Sequence, residues 1–317
     1  MIAVGVIGAG GHSSRNHGPA LQRVADRRDD VALAAICDLQ ADRAEQYAAD
    51  FGFACTYTDV ETMLDREPID ALVAVTPQAK TAAIVAELLP RGIPLLLEKP
   101  PGRTSTETAD LLAIAEETGT DHMISFNRRF NPAARRAKAW LEETGRTPDH
   151  VSSTMRRVGR LEDGFRVETG IHLVDFQHAL CGTPSTVTGS SWHTRGNEGE
   201  AASARTAYEN GTTGTTTMIA DAGLAAERHE LTGPGWSLDL DLRNASYTAH
   251  VDGEVAAAWD RDDAPGYERN GALAETEAFL DAVRGERSFA PDLRAGVVSM
   301  RLAEATAAGD TTDVVLP

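Results

Sequence analysis

The chain has almost no lysine. Of its 30 Lys and Arg residues only Lys80, Lys99 and Lys138 are lysines, and 48 Asp and Glu outweigh both types together, leaving a formal net charge of -18 at pH 7. A nucleic-acid or anionic-membrane binder needs a positive face, so neither partner is expected. Cysteine is scarce too. Cys37, Cys55 and Cys181 are too far apart for a CxxC redox or zinc motif, and an odd, unpatterned count reads as reduced thiols in a cytoplasmic protein. There is no basic n-region, long h-region or cleavage site near Met1, and no apolar run approaches the ~20 residues that cross a bilayer. Repeats and low-complexity tracts are absent. What is present is an ordinary globular composition, 42% hydrophobic and 25% charged, over 317 residues, enough for two domains with their own cores.

The first 121 residues alternate short apolar runs with helical stretches, the pattern of a doubly wound parallel sheet. Ala3–Ile7 reads as a buried strand leading into Gly8-Ala9-Gly10-Gly11-His12-Ser13, a variant of the dinucleotide fingerprint. Gly8 would make the tight turn and Gly10 would let the backbone approach a pyrophosphate. Ser13 stands where the third glycine is usual, and its hydroxyl is expected on a phosphate or as a cap. A helix is expected from Arg15 to Arg27. The second strand, Val31–Cys37, ends at Asp38. An acid there can accept both ribose hydroxyls of NAD and repels the 2′-phosphate of NADP. The following Leu39 and Gln40 bring no arginine, so NAD is favoured over NADP. A further strand stops at Thr76-Pro77.

The most informative stretch is Leu95-Leu96-Leu97-Glu98-Lys99-Pro100-Pro101. In an open α/β sheet ligands bind beyond the carboxyl ends of the strands, so a rare lysine at such an end points at a cleft. Asn127-Arg128-Arg129-Phe130 follows the next strand and is expected to face the same cleft, with Asn127 and Arg129 on substrate. From residue 122 to 317 a second domain is expected. Its β-rich segments from Val151 to Trp259 alternate in polarity, Asn210-Gly211 marks a hairpin, and together they describe a mostly antiparallel open sheet with helices. One of these, Glu168 to Leu180, is expected to be a single helix carrying Glu168, His172 and Asp175 on one face at i, i+4 and i+7.

The glycine-rich start, Asp38, Val75-Thr76-Pro77, Glu98-Lys99-Pro100, Asn127-Arg128-Arg129-Phe130 and Gly170-Ile171-His172-Leu173-Val174-Asp175 occur in the order seen in the Gfo/Idh/MocA oxidoreductases. The resemblance extends to the closing segment Glu277–Val283. It implies a Rossmann domain followed by an open-sheet domain used for substrate binding and oligomerisation, hence a homodimer or homotetramer. It also implies that Lys99, His172 and the acid at Glu168, usually an aspartate, act on a substrate alcohol beside the nicotinamide. Gly8, Gly10, Gly11, His12, Ser13, Asp38, Thr76, Pro77, Glu98 and Lys99 are then the expected cofactor residues. Asp175 is expected to hold His172 or to bind substrate hydroxyls. No metal is required, since Lys99 supplies the polarising charge. The expected reaction is hydride transfer between NAD and a sugar, polyol or related hydroxylated small molecule. Two other classes stay open: an enzyme whose tightly bound NAD undergoes no net redox, and a non-catalytic NAD-binding regulator.

Overall fold

The computed structural model describes residues 1–317 apart from Glu162, Asn197, Asp262 and Val315. The chain forms two compact units, Met1–Asn127 with Pro265–Gly296, and Arg128–Ala264 with Val297–Pro317. The sequence reading divides the chain once, at 121/122, whereas these units exchange the chain three times.

In the first unit, strands β1 (Ile2–Ile7), β2 (Val31–Cys37), β3 (Cys55–Tyr57), β4 (Ala71–Ala74), β5 (Leu95–Leu97) and β6 (His122–Ile124) form a parallel sheet in the order β3-β2-β1-β4-β5-β6. Every residue of β4 and β5 is buried, as expected of strands covered on both faces. The reversal of strand order between β1 and β4 creates the crevice in which such sheets bind ligands. The helix after β1 is broken. It runs Gly11–Arg15, stops at Asn16 (φ -124°, ψ -66°), and restarts as His17–Ala25.

The returning segment completes this unit. Helix Ala272–Val283 packs on His17–Ala25, burying Phe279 and Leu280 fully. Arg28 and Asp281 pair at 2.8 Å, and fully buried Glu275 accepts a hydrogen bond from Ser125 Oγ at 2.7 Å. These contacts are made 150 residues or more apart in sequence, so nothing local announces them.

The second unit is a nine-stranded sheet of β7 (His150–Arg156), β8 (Pro184–His193), β9 (Glu200–Tyr208), β10 (Thr213–Ile219), β11 (Ala226–Gly233), β12 (Trp236–Asp241), β13 (Ser246–Val251), β14 (Glu254–Asp260) and β15 (Thr311–Asp313). Its order is β14-β13-β12-β11-β7-β10-β9-β8-β15, antiparallel throughout except between β7 and β10. The expected hairpin joins β9 to β10. Gly211 takes φ +87°, and the N–H of Thr212 donates to Asn210 Oδ1. Burial alternates along β7, β10 and β12, so one face meets the core and the other carries Ser, Thr and charged residues. The core includes Ala133, Ala137 and Leu141 of helix Pro132–Glu143 and Phe176 of helix Ile171–Cys181, packed with Val151, Leu231, Leu238 and Leu240.

Candidate active site

The cofactor seat lies at the end of β1. Gly8 has φ +101°, and a Cβ there would stand 2.1 Å from the Val75 carbonyl oxygen, so the turn accepts only glycine. Gly10 differs. Its backbone is extended (φ -73°, ψ 170°) and a Cβ would meet nothing within 4 Å. The glycine leaves the backbone open to a ligand, as a pyrophosphate requires. Beside Gly11 lies the guanidinium of Arg15, 3.5 Å from where a Cβ would be. Asp38 sits at the tip of β2, its Oδ2 accepting the N–H of Ala9 (2.9 Å) and its Oδ1 that of Gln40 (2.9 Å). A pocket of about 470 Å³ opens here, lined by Gly8, Asp38, Leu39, Arg43, Thr76 and Pro77 among others. Leu39 is 91% exposed, an apolar surface at the pocket available to a planar base. The open Gly10 backbone and this acid-tipped pocket fit the phosphates and adenosine of a dinucleotide.

Two expectations change. Ser13 is fully buried, and its hydroxyl donates to Tyr47 of helix Ala41–Phe51 at 2.9 Å. Its side chain faces the interior, where the usual glycine allows close packing. Arg43 also reaches the pocket from the first turn of that helix, although the residues immediately after Asp38 bring no arginine.

Glu98 at the end of β5 is 6% exposed and sits among polar partners. His12 Nε2 and His17 Nε2 both bond its Oε1, at 2.9 and 2.7 Å, and its Oε2 accepts the backbone N–H of Lys99 at 3.1 Å. Burial opposes ionisation, but His12 and His17 outweigh it and hold the carboxyl well below the usual range. Glu98 is therefore bound up with the fingerprint segment and with the Lys99 peptide. His17 was missed from sequence; its signal was its place five residues after His12.

In the second unit the expected single helix is two. Phe165–Glu168 ends, Thr169 and Gly170 intervene, and Ile171–Cys181 begins. The N–H of His172 bonds the carbonyl of Thr169 at 3.3 Å. Packing requires a glycine at the break. A Cβ on Gly170 would lie 2.5 Å from both the Arg166 carbonyl oxygen and Met218 Sδ. Glu168 therefore ends one helix and His172 lies in the first turn of the next. His172 is 5% exposed.

Asp175 is completely buried. Its carboxylate receives Arg129 Nε (2.9 Å), Arg129 Nη2 (2.7 Å) and Ser299 Oγ (2.8 Å). Arg129 and Asp175, both read from sequence as substrate residues, thus meet each other through a planar fork. Arg128 and Arg157 likewise converge on buried Glu227, with Arg128 Nε at 3.0 Å and Arg157 Nη2 at 2.5 Å. Burial alone would raise the Glu227 pKa; the two arginines instead bring it down to about 2. Asn127, the last residue of the first unit before the crossing, is buried. Among the described residues no helix is long and apolar enough to cross a membrane.

The family models for the NAD-binding Rossmann fold and for the C-terminal α/β domain of the Gfo/Idh/MocA oxidoreductases match residues 2–126 and 122–315. The chain is 27% identical over 195 residues to the uncharacterised oxidoreductase YrbE of Bacillus subtilis, covering 59% of this chain and 55% of that protein. It is 26% identical over 202 residues to an NADP-dependent D-xylose 1-dehydrogenase of Haloferax volcanii, covering 60% and 61%. The matched region thus spans little more than half the length of these curated relatives. A solved levoglucosan dehydrogenase in complex with NADH shares the fold, with a TM-score of 0.84 at 19% identity and full coverage of both chains. Matched in sequence order by both domain models, the chain belongs to the Gfo/Idh/MocA oxidoreductase family, with an NAD-binding Rossmann domain and a C-terminal α/β domain.

Proposed function

We propose that the protein is an NAD-dependent dehydrogenase that oxidises a secondary alcohol of a sugar, polyol or related compound, or reduces the corresponding ketone. The observation that carries this reading is Lys99, a lysine at the carboxyl end of β5, one residue from the Glu98 that binds the fingerprint histidines. The names of the relatives, a xylose dehydrogenase and a levoglucosan dehydrogenase, support the substrate class. NAD, when bound, takes up the hydride. The protein must remove the hydroxyl proton and steady the charge on oxygen as the hydride leaves. The imidazole of His172 is the base, since a neutral imidazole near neutral pH can accept that proton. The ammonium of Lys99 stabilises the developing alkoxide. Glu168 is the acid that tunes the pair. Asp38 favours NAD by accepting ribose hydroxyls and repelling a 2′-phosphate.

The test is cofactor reduction across a panel of sugars, polyols and anhydrosugars. Lys99→Ala and His172→Ala are expected to lower kcat/KM by about 10² or more on any accepted substrate. Turnover within a few-fold of the parent enzyme in either variant would overturn the role given to that residue. Tightly bound NAD that never exchanges with added cofactor during turnover would instead favour internal redox without net dehydrogenation.

A further inference from the structure

The break at Asn16 has a geometric result. In an unbroken helix, residues five apart point about 140° away from each other. His12 and His17 are five apart, yet both reach the same oxygen of Glu98. Asn16 makes this possible by leaving helical geometry, and it is tied in place. Its Nδ2 donates to the carbonyl of His12 (3.2 Å) and lies 3.3 Å from His12 Nδ1, while its Oδ1 accepts from Asn270 Nδ2 at 2.7 Å. With an amide donor at Nδ1, the proton of His12 is on Nε2 and directed at Glu98. The other Glu98 oxygen holds the Lys99 peptide.

Two histidines and a carboxylate this close are also a candidate metal trio. The surroundings speak against it. A ligated imidazole passes the proton on its second nitrogen to an acceptor, and His17 Nδ1 is buried with no hydrogen-bond partner. The arrangement is built around hydrogen bonds to Glu98.

We propose that His12 is a positioning residue that, through Glu98, couples the dinucleotide fingerprint to the Lys99 strand end. His17 anchors the carboxylate from the buried side. His12, with its side chain 48% exposed, sits within the fingerprint and holds the same oxygen from the exposed side. Removing His12 frees Glu98 to rotate and releases the Lys99 N–H, so the strand end loses its fixed orientation while the glycine turn persists. The catalytic part of this inference rests on Lys99 acting on the substrate; the structural part does not.

The chain's three lysines make the test direct. Protein labelled with [15N]lysine gives three backbone amide signals, and Lys99 is assigned as the one missing in Lys99→Arg. In His12→Ala, Lys99 amide exchange is expected to quicken by about tenfold or more, with the Lys80 and Lys138 amides unmoved. The same variant should lose about tenfold in kcat while the Kd for NADH changes by less than about threefold. His12→Gln, which keeps an uncharged N–H donor, should return both readouts to within about threefold of the parent protein. An unaltered Lys99 amide in a folded His12→Ala protein overturns the coupling. So does a loss of NADH affinity in proportion to kcat, which would make His12 a cofactor contact only. If the amide responds but Lys99→Ala keeps full turnover, the coupling stands and the catalytic role of Lys99 falls.

Discussion

Arg129 grips Asp175 with two parallel hydrogen bonds, of 2.9 and 2.7 Å, and nothing of Asp175 reaches solvent. A buried pair of this kind contributes little relative to an apolar replacement, but losing one partner strands the other charge. Arg129→Ala, which leaves the fully buried carboxylate without its cation, is therefore expected to destabilise the second unit by about 3–5 kcal/mol, read as a lower midpoint in chemical denaturation. A normal midpoint with a raised KM would instead support the substrate role read from the sequence.

Gly8 and Gly10 separate folding from binding. Gly8→Ala sets a methyl group against the Val75 carbonyl at a positive φ, so both the thermal midpoint and NADH binding should fall. Gly10→Ala meets nothing in the protein, so the midpoint should hold while the Kd for NADH, followed by fluorescence titration, rises by about tenfold or more. Equal NADH affinity in Gly10→Ala would remove the pyrophosphate from that position.

Asp38 is the predicted arbiter between the two nicotinamide cofactors. Asp38→Ser removes the charge that repels a 2′-phosphate, and Arg43 already lines the same pocket. The ratio of kcat/KM for NADP over NAD should rise by about 10² or more, a shift worth about 2.7 kcal/mol. A ratio unchanged by this substitution would show that preference is set elsewhere.

Acid should weaken the second unit in two stages. His229 is buried against the ring of Phe176, and burial, opposed by Glu227, brings its pKa down to about 4 from 6.5. Between those values the unfolded chain binds a proton that the folded chain refuses, so stability falls as the pH drops through that window, by about 3 kcal/mol at most. Glu227, with its pKa at about 2 rather than 4.5, contributes stability above pH 4.5 that is lost on further acidification. Urea midpoints measured from pH 7 to pH 4.5 should decline less in His229→Gln than in the parent protein. Parallel curves would remove His229 as the source.

The parallel sheet was legible because its central strands are short apolar runs, and β4 and β5, buried at every residue, need nothing else to be recognised. The turn at Gly8 and the lysine ending β5 were legible because their chemistry is carried by residue type. The breaks at Asn16 and at Thr169–Gly170 were not, since apolar periodicity runs on through them and the neighbours that surround them, such as Met218 beside Gly170, are remote in sequence. Ser13 was misread for the same reason. Its direction is decided by Tyr47, 34 residues away. The pairing of Arg129 with Asp175 depends on a contact 46 residues apart that no local motif encodes.

The return of residues 265–296 to the first unit bears on how the molecule is made. On the ribosome the six strands of the parallel sheet emerge before residue 128, but the helix that covers His17–Ala25 and pairs Asp281 with Arg28 is synthesised after most of the other unit. The cofactor-binding half is the first begun and must wait for a late segment to close. A fragment ending at Asn127 would display the uncovered helix surface to its neighbours, whereas joining 1–127 to 265–296 by a short flexible linker would supply every element of that half.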